Sequence, residues 1–376
     1  MKNVTQISRR GFAKIIGTSA AYAALSPSLS FSAPALRMLS KSSTAAAAVR
    51  LSSNENPYGP SSLAVKAMTD AFSLAWRYPD DHEGVLVDAL AKLHNVAGNQ
   101  ILLGNGSGEI LKVSAAAFTA AGKKLVVGNP TFEAILAHAH TAQADVVKID
   151  LTSDYAHDLP QMLAAASDAG LVYICNPNNP TASITPKDQI RAFLAKVPSQ
   201  TIVLIDEAYH HYVESNDYES VIPLLAQHPN LMVARTFSKV YAMAGLRCGY
   251  CIARPELIQR MRVQQTQDSI NIMALVAASA SLQDAAQVEQ GRRRNSEVKK
   301  FVYGELDKLG FKFIPSHANF MMIDLRREVK PMIAAMRARN VEVGRLFPAL
   351  PNFMRVTIGT QPQMDAFVSA FRTVMS

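Results

Sequence analysis

Cysteine and tryptophan are scarce in this chain, with three and one in 376 residues. Three thiols cannot build the disulfide framework that staples small secreted domains. Cys248 and Cys251 have the spacing of a redox or metal pair. Their segment reads as a strand, however, where residues three apart point to opposite faces, and no histidine or second cysteine pair completes a zinc site. They read as two ordinary buried thiols. No apolar run is long enough to cross a bilayer, so no stable membrane anchor is expected. Charge of one sign is also sparse. The formal net charge is +8, and four of the basic residues (Lys2, Arg9, Arg10 and Lys14) lie in a leader without acids; without them 34 bases face 30 acids, leaving +4. So mild and scattered a surplus speaks against a nucleic-acid binder. The densest basic spot, Arg292-Arg293-Arg294, reads as a solvated face of a helix from Asp284 to Leu309. No internal repeat is evident.

What is present is a globular composition, 49% hydrophobic with 18% charged residues, in a chain long enough for two domains. Short apolar runs at Ile101-Leu103, Lys124-Gly128, Val146-Ile149, Leu171-Cys175, Ile202-Ile205, Leu231-Ala234 and Tyr250-Ala253 read as strands. Between most of them lie helical stretches such as Ile110-Ala120, Phe132-Ala142, Pro186-Lys196 and Glu256-Gln264. Strands without polar alternation are covered on both faces, which predicts an α/β domain with a mostly parallel central sheet. The tail, with a long helix, Phe313 to Leu325, Val341 to Leu346, Phe353 to Ile358 and a last helix, predicts a smaller C-terminal α+β domain. The expected division is a leader over 1–35, a tether and arm over 36–60, a large domain over 61–268 and a small one over 269–376. The leader pattern Ser8-Arg9-Arg10-Gly11-Phe12-Ala13-Lys14, a mildly apolar stretch and Ala33-Pro34-Ala35 resemble a twin-arginine export signal. That resemblance implies a periplasmic or exported protein, cytoplasmic if the signal is not used.

Ligands of open α/β sheets sit at the carboxyl ends of the strands, and the chemistry-bearing residues gather there. Ala234-Arg235-Thr236-Phe237-Ser238-Lys239 is followed by Arg247. Thr236, Ser238 and Arg247 can donate to one phosphate, and Lys239 beside them can bind an aldehyde cofactor; a surface lysine after a buried strand is the plain alternative. Gly104-Asn105-Gly106-Ser107-Gly108-Glu109 follows a strand and opens a helix, which suits an anion at the helix terminus. It is not a dinucleotide fingerprint, because the sixth position is Glu109 and the next strand ends in Gly128-Asn129-Pro130 without an acid. Phe132 can stack on a flat cofactor or serve the core. Asn176-Pro177-Asn178-Asn179-Pro180-Thr181 stops a strand and delivers an asparagine at the sheet's edge. Asp206 ends an apolar strand, where a carboxylate calls for a cation; a protonated pyridine nitrogen fits, a helix cap or metal ligand being the alternative. Tyr209 can reach the ring's phenolic oxygen. Arg355 in an otherwise apolar strand calls for an anion, either a substrate carboxylate or an internal acid, and Arg345 can add a second contact.

Together these segments resemble the fold-type I pyridoxal-phosphate aminotransferases, class I/II, most closely the histidinol-phosphate aminotransferase branch. The resemblance runs from Leu51-Ser52-Ser53-Asn54-Glu55-Asn56-Pro57 to the carboxyl terminus. It implies that fold, pyridoxal 5'-phosphate as cofactor and a homodimer with shared active sites. Lys239 is then the Schiff-base lysine and proton shuttle, Asp206 pairs the pyridinium nitrogen, and Asn179 and Tyr209 hold the phenolic oxygen. Phe132 stacks on the ring, where the family more often has tyrosine. Ser107 and Gly108, Thr236, Ser238 and Arg247 hold the phosphate, and Tyr78 reaches the neighbour's cofactor. Tyr58 and Arg355, with Arg345, contact substrate. The implied activity exchanges an amino group between an amino acid or amino phosphate and a 2-oxo acid. Rivals are a phospho-amino-acid decarboxylase using the same cofactor, and an exported binder without turnover. Two departures stand out. Thr181-Ala182 replaces the usual Thr-Gly, and the export pattern points away from histidinol phosphate, a substrate of cytoplasmic synthesis.

Overall fold

The computed structural model describes residues 48–376, so the leader and its twin-arginine pattern lie outside the described residues. Strand β1 (Val49–Leu51) comes first, then helices α1 (Ser62–Ala71) and α2 (Asp80–His94). Ser61 starts α1 by accepting from the Ala64 N–H, and Asn95 ends α2 in a left-handed turn, φ 52°. An alternating run follows: β2 (Ile101–Gly104), α3 (Ser107–Phe118), β3 (Lys124–Asn129), α4 (Ala134–Thr141), β4 (Val146–Asp150), α5 (Leu159–Ala165), β5 (Ala169–Cys175), α6 (Lys187–Leu194), β6 (Ile202–Asp206), β7 (Leu231–Thr236), β8 (Gly249–Ala253) and α7 (Pro255–Arg262). Each apolar run read as a strand forms one, with ends that agree to within two residues.

These strands make one sheet in the order β2-β8-β7-β6-β5-β3-β4. Only β8 runs against its neighbours; the pairs β7–β6, β6–β5, β5–β3 and β3–β4 are parallel. Alternate side chains part to the two faces, as strand geometry requires. Val126, Val172, Val203 and Val233 join one apolar cluster with Leu86, Ile190 and Ala274, while Leu125, Leu171, Leu204 and Met232 join another with Ile110, Ile135 and Ile258. Helices therefore cover both faces, and each fully buried aliphatic chain contributes about 2 kcal/mol. Cys248 belongs to the first cluster and Cys251 to the second; both thiols are free, and burial pushes each up to about 12. They are core residues.

Beyond the sheet come α8 (Ile272–Leu282), α9 (Ala285–Lys308), β9 (Lys312–Ile314), β10 (Phe320–Asp324), α10 (Val329–Arg337), β11 (Val341–Val343), β12 (Phe353–Thr357) and α11 (Gln361–Met375). Here β12-β10-β9 form an antiparallel sheet over a third apolar cluster that includes Val302, Ile323, Met354 and Phe367. The opening strand joins this region rather than the large sheet, since β1 pairs in parallel with β11, Val49 opposite Val341. That pairing had no signal in the local sequence.

One buried ion pair ties the strand ends that carry the site. Glu207 follows β6, and its Oε2 accepts from Arg235 Nε (3.0 Å) and Nη2 (2.8 Å) on β7. Ser220 Oγ donates to the same oxygen at 2.8 Å, and the Val221 N–H donates to Oε1 at 2.7 Å. Removing one member leaves the other charged, buried and unmatched, a loss of about 3–5 kcal/mol. Glu207→Ala is therefore expected to lower the unfolding free energy in urea by that amount. A loss below about 1 kcal/mol would show that the pair does not hold the strands together.

Candidate active site

The parallel register sets Cys175, Asp206 and Ala234 side by side, and Thr236 lies opposite Gly249 on β8. Asp206 is the charged member of that row and is 2% exposed. Its Oδ2 accepts from the Tyr173 hydroxyl at 2.9 Å, and its Oδ1 from the Ala208 N–H at 3.0 Å. Burial pushes the carboxyl up to about 6, against these two hydrogen bonds and the Lys239 charge, which lower it. Among the described residues no cluster of histidine, cysteine, aspartate and glutamate could hold a metal ion, so the metal-ligand alternative finds no partners there. The contact with Ala208 is a local turn closure, yet Asp206 still faces an open cavity.

Next to this floor is a cradle of donors. Helix α3 begins at Ser107 after Gly106, whose φ is +74°. A side chain at Gly106 would run into the Arg247 guanidinium, and one at Gly249 into the Ser107 backbone nitrogen. Glycine is thus required at both positions for the loop, the helix start and Arg247 to converge. Thr236 Oγ1 donates to Ser238 Oγ (2.9 Å) and accepts from the Ser238 N–H (3.1 Å). Arg247 Nη1 donates to the Ala244 carbonyl at 2.8 Å, and no ion pair to Arg247 occurs among the described residues. Backbone N–H groups at a helix start, two hydroxyls and a guanidinium without an acid partner are donors of the kind that suit an anion.

The same cavity carries the amine. Lys239 Nζ donates to the Asn54 carbonyl at 3.2 Å. Burial lowers it from 10.5 to about 8, with Arg355 adding to the fall and Asp206 opposing it. The Tyr209 hydroxyl accepts from Asn54 Nδ2 at 3.2 Å and from Asn179 Nδ2 at 3.4 Å, and burial raises its pKa. Arg355 Nη1 donates to Asn179 Oδ1 (2.9 Å) and Nη2 to the Ser52 carbonyl (2.8 Å), while its buried Nε has no partner. The internal acid weighed for Arg355 is not there among the described residues: its partners are an amide and a carbonyl.

Ser107, Gly108, Phe132, Asn179, Asp206, Tyr209, Thr236, Ser238, Lys239, Arg247 and Arg355 line one cavity of about 280 Å3. Phe132 lines this cavity and also rests on the second apolar cluster. Arg345 lies just past β11 in an adjoining cleft of about 590 Å3, which shares Ser53 and Arg355 with the first cavity, and it pairs with Glu133. Tyr58 and Tyr78 are not brought to the cavity. Tyr58 lies beneath the Arg294 guanidinium, 4.8 Å from its ring centre, and Tyr78 is 78% exposed. Ala182, the departure from Thr-Gly, is held left-handed at φ 60° with its N–H bonded to the Asn178 carbonyl, so the turn keeps a glycine-like form. Sequence reasoning missed Ser53, Asn54, Tyr173, Cys175 and Ala208. Asn54 carried a signal in the Asn-Glu-Asn-Pro run, whereas Tyr173 meets Asp206 only across neighbouring strands.

Because the folded carboxyl of Asp206 lies near 6 and its unfolded value near 3.8, the folded chain holds that proton more tightly. Stability is thus highest below about pH 4 for this group and falls as pH rises through about 6, by about 3 kcal/mol in all. In cofactor-free protein, Asp206→Asn is expected to gain on the parent by up to that amount across this window, read by denaturant unfolding at each pH. A pH-independent difference would show that the carboxyl is not desolvated.

Residues 46–371 match the family described as aminotransferase class I and II. A histidinol-phosphate aminotransferase of Moorella thermoacetica is 38% identical over 332 residues, covering 87% of this chain and 86% of its own. A solved structure from Erwinia carotovora atroseptica is 32% identical with a TM-score of 0.84, covering 87% of this chain and 95% of its own. The histidinol-phosphate aminotransferase of Sinorhizobium meliloti, solved with pyridoxal 5'-phosphate, is 26% identical with a TM-score of 0.82, covering 88% and 91%. With a match over most of its length and this site at its strand ends, the chain belongs to the class I and II aminotransferase family.

Proposed function

We propose that this protein is a pyridoxal 5'-phosphate-dependent aminotransferase, moving an amino group from an amino acid or amino phosphate to a 2-oxo acid. The observation that carries the reading is one cavity that joins a lysine lowered to about 8, a buried carboxyl raised to about 6 and an arginine cradle. The donor set fits the cofactor: the α3 N–H groups of Ser107 and Gly108 with Thr236, Ser238 and Arg247 suit its phosphate, and Asp206 suits its ring nitrogen. Bound there, the cofactor supplies an aldehyde carbon and an electron-withdrawing ring that acidifies the C–H bond beside a substrate's amine.

The chain's own groups do the rest. A lysine amine near 8 can both take and give a proton close to neutral pH, so Lys239 Nζ serves as shuttle. The Asp206 carboxylate, once paired with a cation, stays ionised and keeps the ring nitrogen charged. Asn179 sits between Tyr209 and Arg355, fixing both polar tips, while Phe132 lines the same cavity. The Arg355 guanidinium, with its free Nε, receives the substrate's anionic group, and Arg345 adds a contact from the adjoining cleft.

A second copy of the chain completes the site. Phe72, Trp76, Tyr78 and Val85 are exposed large apolar side chains within one short stretch, a surface that a partner would cover. Tyr78 then reaches the neighbouring cavity. The twin-arginine pattern at Ser8 to Lys14 supports export of the folded protein to the periplasm.

Purified protein is expected to be yellow with pyridoxal phosphate, to bleach on adding an amino donor such as glutamate, and to recover with an oxo acid. Lys239→Ala is expected to lose about 1000-fold or more in turnover. Carbon dioxide release without bleaching would replace transamination by decarboxylation, and failure to take up the cofactor would sink the reading. In sedimentation the parent is expected to be a dimer and Trp76→Glu a monomer; a monomeric parent would refute the shared site.

A further inference from the structure

Asn54 touches two functional groups at once. It lies just after β1 and its backbone is left-handed, φ 56°, a region that asparagine enters more readily than most residues. In that conformation its carbonyl oxygen accepts from Lys239 Nζ at 3.2 Å and from Asn319 Nδ2 at 3.0 Å. Its N–H donates to Thr357 Oγ1 at 2.9 Å, and its side-chain Nδ2 to the Tyr209 hydroxyl at 3.2 Å. The residue is 1% exposed, and its Oδ1 is buried without a partner. Four directions of attachment therefore fix one residue, and two of them end on groups of the cavity.

From this geometry we propose that Asn54 is a positioning residue for Lys239: its left-handed carbonyl docks the lysine amine whenever that amine is free, while its amide orients the Tyr209 hydroxyl. The inference rests on Lys239 being the reacting lysine. A carbonyl that accepts from an amine favours the charged form and opposes the effect of burial, so it both places the nitrogen and restores part of its basicity. Asn319, just before β10, donates to that carbonyl and Thr357 on β12 accepts from the Asn54 N–H, so the lysine's resting place depends on how the antiparallel sheet is seated. Proton transfer itself stays with Lys239.

Glycine and alanine at position 54 separate the two contributions. Glycine keeps the left-handed backbone and removes the amide; alanine removes the amide and disfavours the backbone as well. Full-length, cofactor-loaded protein is treated with amino donor to free the Lys239 amine. The pH midpoint of Lys239 acetylation by acetic anhydride is then read by peptide mass spectrometry, beside kcat and KM. Asn54→Gly is expected to keep the parent midpoint and lower kcat about threefold at unchanged KM. Asn54→Ala is expected to move the midpoint down by about half a unit or more and lower kcat about tenfold. Equal midpoints in the two variants overturn the role of the carbonyl. Should Asn54→Ala fail to fold, Asn319→Ala loosens the same carbonyl without altering position 54; a lowered midpoint supports the proposal and an unchanged one overturns it. If the parent takes up no pyridoxal phosphate, the functional reading fails separately, because the acetylation midpoints of Lys239 still report the carbonyl contact.

Discussion

A carboxylate buried at the end of an apolar strand makes demands that the neighbouring elements answer. Asp206 is held by the Tyr173 hydroxyl from β5, a contact that needs the in-register parallel pairing of β5 and β6, and by the Ala208 N–H of its own turn. Helices on both faces of the sheet keep water away from it. Two neutral donors do not replace full hydration of a charge, so the carboxyl stays raised until a cation arrives. Lys239 is too heavily desolvated to be that cation in full. Each group lowers the cost of charging the other, and neither neutralises it. The cavity is thus ready for a ligand that brings a positive nitrogen to the floor and an electrophile to the amine.

Around this floor the charge balance favours anions. Arg247 and Arg355 face the cavity without carboxylate partners among the described residues, and the adjoining cleft adds Arg345, Arg337 and Lys330. Of these cations, Arg345 is the one with an acid, Glu133. A ligand's phosphate and a substrate's anionic group would both be drawn into this field. The exposed Glu133–Arg345 pair is a weak interaction in water, which an incoming anion can displace at small cost.

The mouth of the site is built from distant parts of the chain. The arm lends the Ser52 carbonyl to Arg355 and the Asn54 carbonyl to Lys239, while β1 fastens that arm to β11. Small shifts of this arm would therefore be felt at both Arg355 and Lys239. The large sheet, stabilised by two apolar layers, supplies the rigid floor against which such shifts are measured.

Much of this was legible in the sequence because it follows from local patterns. Seven unbroken apolar runs imply strands covered on both sides, and the helices between them follow from spacing. Asp206, Asn179, Thr236, Ser238, Lys239 and Arg247 stood out because polar residues at the ends of apolar strands need a reason to be there. Arg355 stood out for the same reason, but only the fold removed its rival explanation by giving it an amide and a carbonyl as partners instead of an acid. The pairing of β1 with β11, the antiparallel β8, the Tyr173 hydroxyl on Asp206 and the double hold of Asn54 left no trace in neighbouring residues. Local pattern records which side chains want burial and which cannot bear it. Which of them meet across hundreds of residues depends on strand order and register, and those are settled only when the whole core packs.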